Sequence, residues 1–147
     1  MASKVFEKFK QTSIANNTFS RLFYENIQVS NTNPPIYYLK IHKDMCDASK
    51  TADQSSIISA LDGLTAIALL SKFGLSGFSA SININTHLFS DIYEEDVLSI
   101  IPRVLKFDPL TRIGQVSGAA YKDSTLVADC LHTMMFLGVL DEKAARN

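Results

Sequence analysis

Tryptophan is absent from the 147-residue sequence, and cysteine occurs only twice, at Cys46 and Cys130. Two distant cysteines cannot hold zinc by themselves, and they do not make the framework of a small secreted disulfide protein. A chain of this length buries about 70% of its unfolded surface, so it needs no covalent or metal staple. These absences predict one intracellular domain held together by apolar packing.

An excess of either charge is also missing. Lys and Arg number 14 against 15 Asp and Glu, which gives a formal net charge of −1. Proteins that bind nucleic-acid backbones carry a basic excess, so no nucleic-acid partner is expected. No apolar run reaches the ~18 residues of a membrane span, so no membrane span is expected. Hydrophobic residues still make up 46% of the chain, which excludes a disordered protein.

The N-terminal segment carries basic residues but no apolar stretch of the kind found in a secretory signal. Acidic Glu7 and Glu25 interrupt the basic series, which consists of Lys4, Lys8, Lys10 and Arg21. We expect a cytoplasmic protein, with a mitochondrial presequence as the alternative. The predicted organisation is an N-terminal helical segment at residues 1–18, one domain at 19–140 and a frayed polar tail at 141–147.

Hydrophobic periodicity predicts a chain order of helix, two strands, one long helix and four strands. Turn residues separate the strands and predict antiparallel hairpins. Pro102 predicts a bulge or an edge position in its strand. The predicted elements are a helical segment at 3–25 broken near Asn16-Asn17, strands at 27–30 and 36–43, a helix at 51–74, and strands after Gly77 and at 96–107, 112–122 and 125–137.

The long helix is apolar in nearly every direction between residues 60 and 70, which predicts burial on most sides. Thr51-Ala52-Asp53-Gln54 matches a capping box at its start, and Gly74 supplies a C-terminal cap. We therefore predict an α+β fold in which a curved antiparallel sheet wraps around one long central helix.

The strand after Gly77 alternates between apolar and polar residues, as in a sheet with one covered face. The alternation places five residues on one face: Ala80, Ile82, Ile84, Thr86 and Leu88. It places the intervening polar residues on the other face: Ser79, Ser81, Asn83, Asn85 and His87.

Asp62 is the most informative residue of the sequence, because it lies in the middle of the apolar helix. An unpaired buried carboxylate is costly and is shifted towards its neutral form. Such a residue needs a water-filled cleft, a partner from a strand, or a role as a general base. A structural Asp bonded to a strand hydroxyl is the alternative. We expect Asp62→Asn to keep the fold, because it removes a desolvated charge.

The start of the helix is the second candidate feature, because the free amides of residues 53–55 can stabilise a developing oxyanion. His42, His87 and His132 lack metal-ligand spacing, so no metal is expected. The sequence has no nucleophile elbow, P-loop or dinucleotide fingerprint. Basic residues on the late strands predict a solvated sheet face or a contact with coenzyme phosphates; they are Arg103, Lys106, Arg112 and Lys122.

Three stretches together resemble the hot-dog fold thioesterases, and most closely the small acyl-coenzyme A thioesterase type. They are residues 19–30, Leu-Asp-Gly-Leu-Thr-Ala-Ile-Ala-Leu-Leu at 61–70, and Gly-Phe-Ser-Ala-Ser-Ile-Asn-Ile at 77–84. The resemblance implies a hot-dog fold and hydrolysis of fatty acyl-coenzyme A thioesters. No separate cofactor is expected, since coenzyme A is part of the substrate.

The same resemblance implies roles for individual residues. Asp62 corresponds to the catalytic general base or nucleophile, and Ser79 to the serine that holds the attacking water. Gln54 corresponds to the oxyanion donor, which the resemblance places on the other subunit of a homodimer or homotetramer. Asp47 stands where the family has an asparagine. Coenzyme phosphates are expected at Lys106, Arg103 and His132.

The sequence departs from the family at the helix start, where Asp53-Gln54-Ser55 replaces His-Gly-Gly. Asp47 replaces an amide donor, and Met134-Met135 occupies the region of a basic residue. These departures favour an alternative from another class, a catalytically silent module that binds acyl-coenzyme A or serves in assembly. A dehydratase acting on 3-hydroxyacyl thioesters is disfavoured, because no histidine stands at the start of the central helix.

Overall fold

The computed structural model describes residues 2–16, 18–74 and 77–138. The predicted tail at 141–147 lies outside the described residues. The helices and strands follow the predicted order. They are α1 (Ala2–Ala15), α2 (Arg21–Tyr24), β1 (Ile27–Val29), β2 (Tyr37–Lys40), a 3₁₀ turn (Lys43–Met45), α3 (Gln54–Phe73), β3 (Ser79–Leu88), β4 (Val97–Asp108), β5 (Ile113–Lys122) and β6 (Thr125–Phe136).

The six strands form one antiparallel sheet in the order β1-β2-β4-β5-β6-β3. The sheet curves around α3, which fills its concave side and contacts β3, β4, β5 and β6. Leu61, Leu64 and Ile67 of α3 are fully buried there, together with Leu98 and Ala120 from the sheet. The predicted α+β class and the curved sheet around a central helix are confirmed.

The two ends of α3 differ in how well the sequence predicts them. Gly74 ends the helix in the left-handed region, with φ 63°, as predicted. The predicted capping box at Thr51 is wrong. Asp53 is the residue that precedes the first helical turn, and its side chain makes no capping bond. Thr51 instead forms a bridge to Tyr93, so a long-range contact takes the place of the local cap.

A bulge in β3 corrects the predicted alternation. Ser81 lies opposite Met134 of β6, whereas Asn83 lies opposite the preceding β6 residue, Thr133. Ile82 is therefore an extra residue without a partner in the register, and its side chain is 53% exposed. Beyond such a bulge the side chains exchange faces.

The consequence of the bulge is that Ser81 shares a face with Ile84 rather than with Asn83. Ile84 lies opposite the buried His132 and packs against the core. The prediction that separates Ser81 from Ile84 is thus wrong, because it assumes an uninterrupted two-residue period. In the observed register the Ser81 hydroxyl points towards α3.

Pro102 lies where β4 has a neighbour on only one side. β2 pairs with Val97–Ile100 and no further, so the following part of β4 is an open edge of the sheet. The predicted edge position is confirmed, since a proline there interrupts no ladder bond. The bulge of β4 comes later, between Val104 and Lys106.

Among the described helices, α3 is also long and apolar enough to cross a membrane by length and composition alone. Its most apolar window is 56% buried inside the protein. Because the sheet wraps around it, α3 is the core helix of this fold, and its composition is weak evidence for a membrane span.

Candidate functional site

Asp62 lies in the third turn of α3, with its carboxylate directed at β3. The Ser81 hydroxyl donates a hydrogen bond of 2.7 Å to Asp62 Oδ1. The Asp62 side chain is 44% exposed, so the carboxylate is half-buried rather than desolvated. A strand hydroxyl therefore holds Asp62 from one side and leaves its other side open.

His132 of β6 forms the floor of this site and is only 1% exposed. Its Nε2 lies 2.9 Å from Ser81 Oγ and 3.3 Å from Asp62 Oδ1. Its Nδ1 lies 2.8 Å from the Thr65 hydroxyl, one helical turn after Asp62 on α3. We call these four residues, Thr65, His132, Ser81 and Asp62, the acid cluster.

Counting protons gives the direction of the bonds in the acid cluster. Ser81 has one hydroxyl proton, and when it goes to the Asp62 carboxylate, the bond between Ser81 and His132 needs a proton on Nε2. The Thr65 hydroxyl lies within donor distance of the Leu61 and Asp62 carbonyls, at 2.7 and 2.9 Å, as well as of Nδ1. When the imidazole is neutral, Nδ1 has no proton, and the Thr65 proton goes to Nδ1 rather than to these carbonyls. The donors follow one another from Thr65 through His132 and Ser81 and end on the carboxylate of Asp62.

Burial sets the charge state of His132. Desolvation lowers the pKa of its imidazole, and the nearby Asp62 carboxylate opposes this without reversing it. In this neutral state Nδ1 carries no proton and accepts the hydrogen bond from Thr65. Burial, together with the charge of Asp62, also raises the pKa of the Tyr24 phenol well above its ordinary value. Tyr24 therefore stays protonated beside the helix.

Close packing of β5 against α3 places Thr65 within reach of the imidazole. A Cβ on Gly118 would lie 2.9 Å from Cys130 Sγ, 3.2 Å from Thr65 Cγ2 and 3.3 Å from Leu61 Cδ2. These distances are shorter than ordinary carbon contacts, so only glycine allows this approach.

A cavity of about 430 Å³ lies between α3 and β3, and the acid cluster contributes no residue to its wall. Ile58, one turn before Asp62, forms one wall. Ile84, three residues after Ser81, belongs to the opposite wall together with Asn85, Thr86 and His87. The cavity has room for a small substrate group, although the Asp62 carboxylate is not part of its wall.

The start of α3 offers free amides at Gln54 and Ser55, far from Asp62, whereas the Asp53 amide, predicted to be free, donates to the Met45 carbonyl at 2.8 Å. Gln54 and Ser55 are the first residues of the helix, where backbone N–H groups have no intrahelical acceptor. Gln54 is exposed. Eight residues of α-helix separate its amide from Asp62, which is about 12 Å along the axis. The two groups of one chain cannot touch the same bond.

Asp47 organises the loop that leads to α3. Its Oδ1 accepts hydrogen bonds from the Ser49 amide at 2.8 Å, the Ser49 hydroxyl at 2.6 Å and the Thr51 amide at 3.1 Å. The Ser49 hydroxyl and the Thr51 amide lower the pKa of the Asp47 carboxyl. An ionised carboxylate only accepts hydrogen bonds, so Asp47 does not supply the donor that an asparagine would.

Ser79 lies two residues before Ser81 and faces Phe136 across the sheet. The structure brings Ser81, not Ser79, to the carboxylate of Asp62. Ser79 and Ser81 both precede the bulge and share one face of β3, and the hydroxyl that bonds to Asp62 is that of Ser81.

The three residues predicted to contact coenzyme phosphates do not lie together. Arg103 and Lys106 are exposed on β4, opposite the outward-facing Ser117 and Gln115 of β5. His132 is buried, and both of its ring nitrogens are engaged in the acid cluster. The prediction for His132 is corrected accordingly, because a phosphate cannot reach a ring enclosed by α3 and the sheet.

Sequence reasoning missed the contact between His132 and Asp62. They are 70 positions apart in the chain, which leaves no spacing signal, and the pairing of β3 with β6 brings them together. A buried histidine touches no substrate, so its position beside an acid does not restore the dehydratase interpretation. Across the described ranges, no group of three His, Cys, Asp or Glu side chains could hold a metal ion.

Solved structures with this architecture include thioesterases, and some of the structures contain coenzyme A or acetyl CoA. Mouse thioesterase superfamily member 2 superposes with a TM-score of 0.75 at 18% identity, over 94% of this chain and 98% of that chain. A hypothetical thioesterase from Streptococcus pneumoniae with coenzyme A gives a TM-score of 0.70 at 13% identity, over 80% and 93%.

A Streptococcus mutans protein, smu.793, bound to acetyl CoA, gives a TM-score of 0.67 at 13% identity, over 79% of this chain and 92% of that chain. No family model and no curated protein sequence matches the chain. The chain therefore has the hot-dog fold of the thioesterase structures, as the resemblance predicts. At these identities the likeness is one of fold.

Proposed function

We propose that this protein hydrolyses acyl-coenzyme A thioesters, with Asp62 as the general base or nucleophile. The observation that carries the proposal is the acid cluster. A half-exposed carboxylate on the central helix is held by Ser81 and backed by the buried His132. Thioesterase structures with the same fold support the reaction class.

In the general-base form of the reaction, Asp62 takes a proton from a water while the water oxygen bonds to the thioester carbonyl carbon. The carbon–sulfur bond then breaks, and the proton on Asp62 passes to the coenzyme thiolate. Ser81 donates to Oδ1 throughout, which leaves Oδ2 to meet the water. The chain of donors from Thr65 keeps this arrangement fixed between turnovers.

In the nucleophile form, an Asp62 oxygen bonds directly to the carbonyl carbon and the thiolate leaves, giving an anhydride that water then cleaves. A single turnover in water enriched in oxygen-18 separates the two forms. When water attacks the Asp62 carboxyl carbon of the anhydride, the bridging oxygen leaves with the first fatty acid unlabelled, and the label enters the Asp62 side chain. A general base gives labelled fatty acid and an unlabelled Asp62.

A second copy of the chain completes the site in this proposal. Within one chain about 12 Å separate Asp62 from the free amides at the start of α3, so these amides must come from another protomer to stabilise the carbonyl oxygen. The Gln54 amide is the proposed donor. The assembly is a homodimer, or a homotetramer made of two dimers.

The rival proposal is a silent module that binds acyl-coenzyme A without cleaving it. Negative charge at the helix start favours this alternative, because Asp53 directly precedes the first turn and Asp47 stays ionised nearby. Carboxylates there oppose the charge that develops on a thioester oxygen.

One experiment separates the two proposals. The purified protein is incubated with acyl-coenzyme A of several chain lengths, and free thiol and melting temperature are followed together. A thioesterase releases coenzyme A catalytically from at least one substrate. A silent module is stabilised by the substrate without thiol release. If no thioester does either, both proposals fail.

A further inference from the structure

A second, larger cavity of about 930 Å³ lies at the opposite end of α3 from its free amides. The loop between β1 and β2, the last turns of α3 and the open edge of β4 enclose it. Its volume is at the upper end of that of small-molecule sites. The acid cluster contributes no residue to it.

The charge of this cavity is positive. Lys72 and Arg103 belong to its wall, and none of the described residues that line it is acidic. Neither cation forms an ion pair with a carboxylate in the described part of the chain. Two cations without an acidic partner favour an anion as occupant.

A buried hydroxyl at the wall has no partner. Ser71 of α3 is only 8% exposed, and its Oγ meets no hydrogen-bonding group among the described residues. Most buried polar groups are paired, and less than 1 Å² of this Oγ is accessible, so the Ser71 side chain must rotate about χ1 before a ligand in the cavity can bond to it. Pro34, Pro35 and Pro102 add an apolar surface around the same space.

We infer that this cavity is a second ligand site, which takes a small organic anion. A phosphate or carboxylate group lies against Lys72 and Arg103, an oxygen of the ligand bonds to Ser71, and an apolar body rests on the prolines. Two sources fit this chemistry: the nucleotide part of coenzyme A and a free fatty acid. The site is separate from the acid cluster and does not require hydrolysis.

The test measures binding of two anions and their neutral counterparts to the full chain by calorimetry. Adenosine 3′,5′-bisphosphate is compared with adenosine, and decanoate with decanol. At least one anion is expected to bind while its neutral counterpart does not. Which anion binds tells whether the occupant comes from the coenzyme or from a free acid.

Charge and hydroxyl variants locate the bound anion. Lys72→Gln and Arg103→Gln are each expected to weaken binding about tenfold, as the loss of one charge-assisted contact does. Lys8→Gln, an exposed lysine on α1, is the matched control and keeps the wild-type affinity. Ser71→Ala weakens binding without lowering the melting temperature, because its hydroxyl has no partner to lose.

Asp62→Asn separates this inference from the proposed hydrolysis, since it must bind the anion as tightly as the wild type does. Amide shifts in NMR spectra are expected at Ser71 and Val104. The inference is overturned if neither anion binds, if both Gln variants keep the wild-type affinity, or if the shifts fall at Asp62 and Ser81 instead.

Discussion

Asp62 is a residue whose importance follows from the sequence, although its surroundings do not. A carboxylate amid apolar helix residues predicts a special role, and the structure supplies a strand hydroxyl as its partner. The predicted desolvation is wrong for the isolated chain, because the side chain is 44% exposed. The contact with Ser81 depends on how β3 packs against α3, and no local pattern reveals it.

Substitution of the two serines of β3 tests the contact made by Ser81. Ser81→Ala removes the donor to Asp62 and the partner of His132, so thioester turnover is expected to fall by about tenfold or more. Ser79→Ala is the matched control and is expected to keep most activity. Steady-state kinetics measure the turnover of both variants. A larger loss of turnover in the Ser79 variant would favour Ser79, the residue that the resemblance implies.

The buried imidazole makes stability depend on pH. Because the folded protein lowers the pKa of His132 below the ordinary value of ~6.5, the unfolded chain binds more protons in the acid range. The contribution of His132 is therefore complete above the unfolded pKa and is lost as the pH falls through the folded one. In the His132→Gln variant the unfolding free energy is expected to fall less as the pH is lowered.

Urea unfolding of the wild type and of the Gln variant at pH 7.5 and at pH 5 measures the difference. The wild type loses more unfolding free energy on acidification than the variant does. Equal losses would show that folding does not lower the pKa of His132.

At the scale of elements, α3 is predictable because its signals are local. A continuous apolar stretch and a glycine at the C-terminal end specify a buried helix and its end. The start is not predictable in the same way, since the bridge from Thr51 to Tyr93 involves a residue more than forty positions away. Long-range pairing also determines the bulge in β3.

The packing of β5 on α3 gives a prediction for Gly118. Gly118→Ala places a methyl group 2.9 Å from Cys130 Sγ and 3.2 Å from Thr65 Cγ2, and it is expected to cost about 1–3 kcal/mol of stability. Thermal unfolding measures the loss, with Ser117→Ala as a control on the outer face of the same strand.

A second substitution shows whether the loss arises from this contact. Cys130→Ala removes the nearest obstructing atom, so the double variant is expected to be less destabilised than the sum of the two single changes. Additive losses of stability would show that the strain does not arise from the contact between position 118 and Cys130.

At the scale of the whole molecule, the sequence predicts the class, the strand number and the central helix. It also identifies α3 and β3 as the elements that carry the site. It does not reveal His132 as a member of that site, because burial and sheet pairing alone bring β6 beneath Asp62. The separation of Gln54 from Asp62 follows from helix geometry and makes a second chain necessary for the proposed reaction.

Mixed assemblies test whether two chains share one site. Gln54→Pro removes the first amide of α3 without disturbing the helix, because proline suits the first helical position and the preceding Asp53 has extended backbone, with ψ 131°. Asp62→Asn removes the carboxylate. Each variant alone is expected to be inactive.

Co-expression of the two variants produces mixed dimers in which one of the two shared sites is intact. About a quarter of the wild-type activity is expected from statistical mixing. No recovery would show that both groups act within the same chain or that one of them does not act at all.

Cleavage of a thioester by the Asp62 carboxylate can be tested by comparing the turnover of three proteins. Coenzyme A release is measured for the wild type, for Asp62→Asn, and for Asp91→Asn as an exposed acidic control. The Asn side chain still accepts from Ser81, so the melting temperature is expected to change little. If Asp62 is the general base or nucleophile, the turnover of Asp62→Asn falls by at least about a hundredfold, and that of Asp91→Asn does not. Wild-type turnover in Asp62→Asn, with its fold intact, would contradict this role.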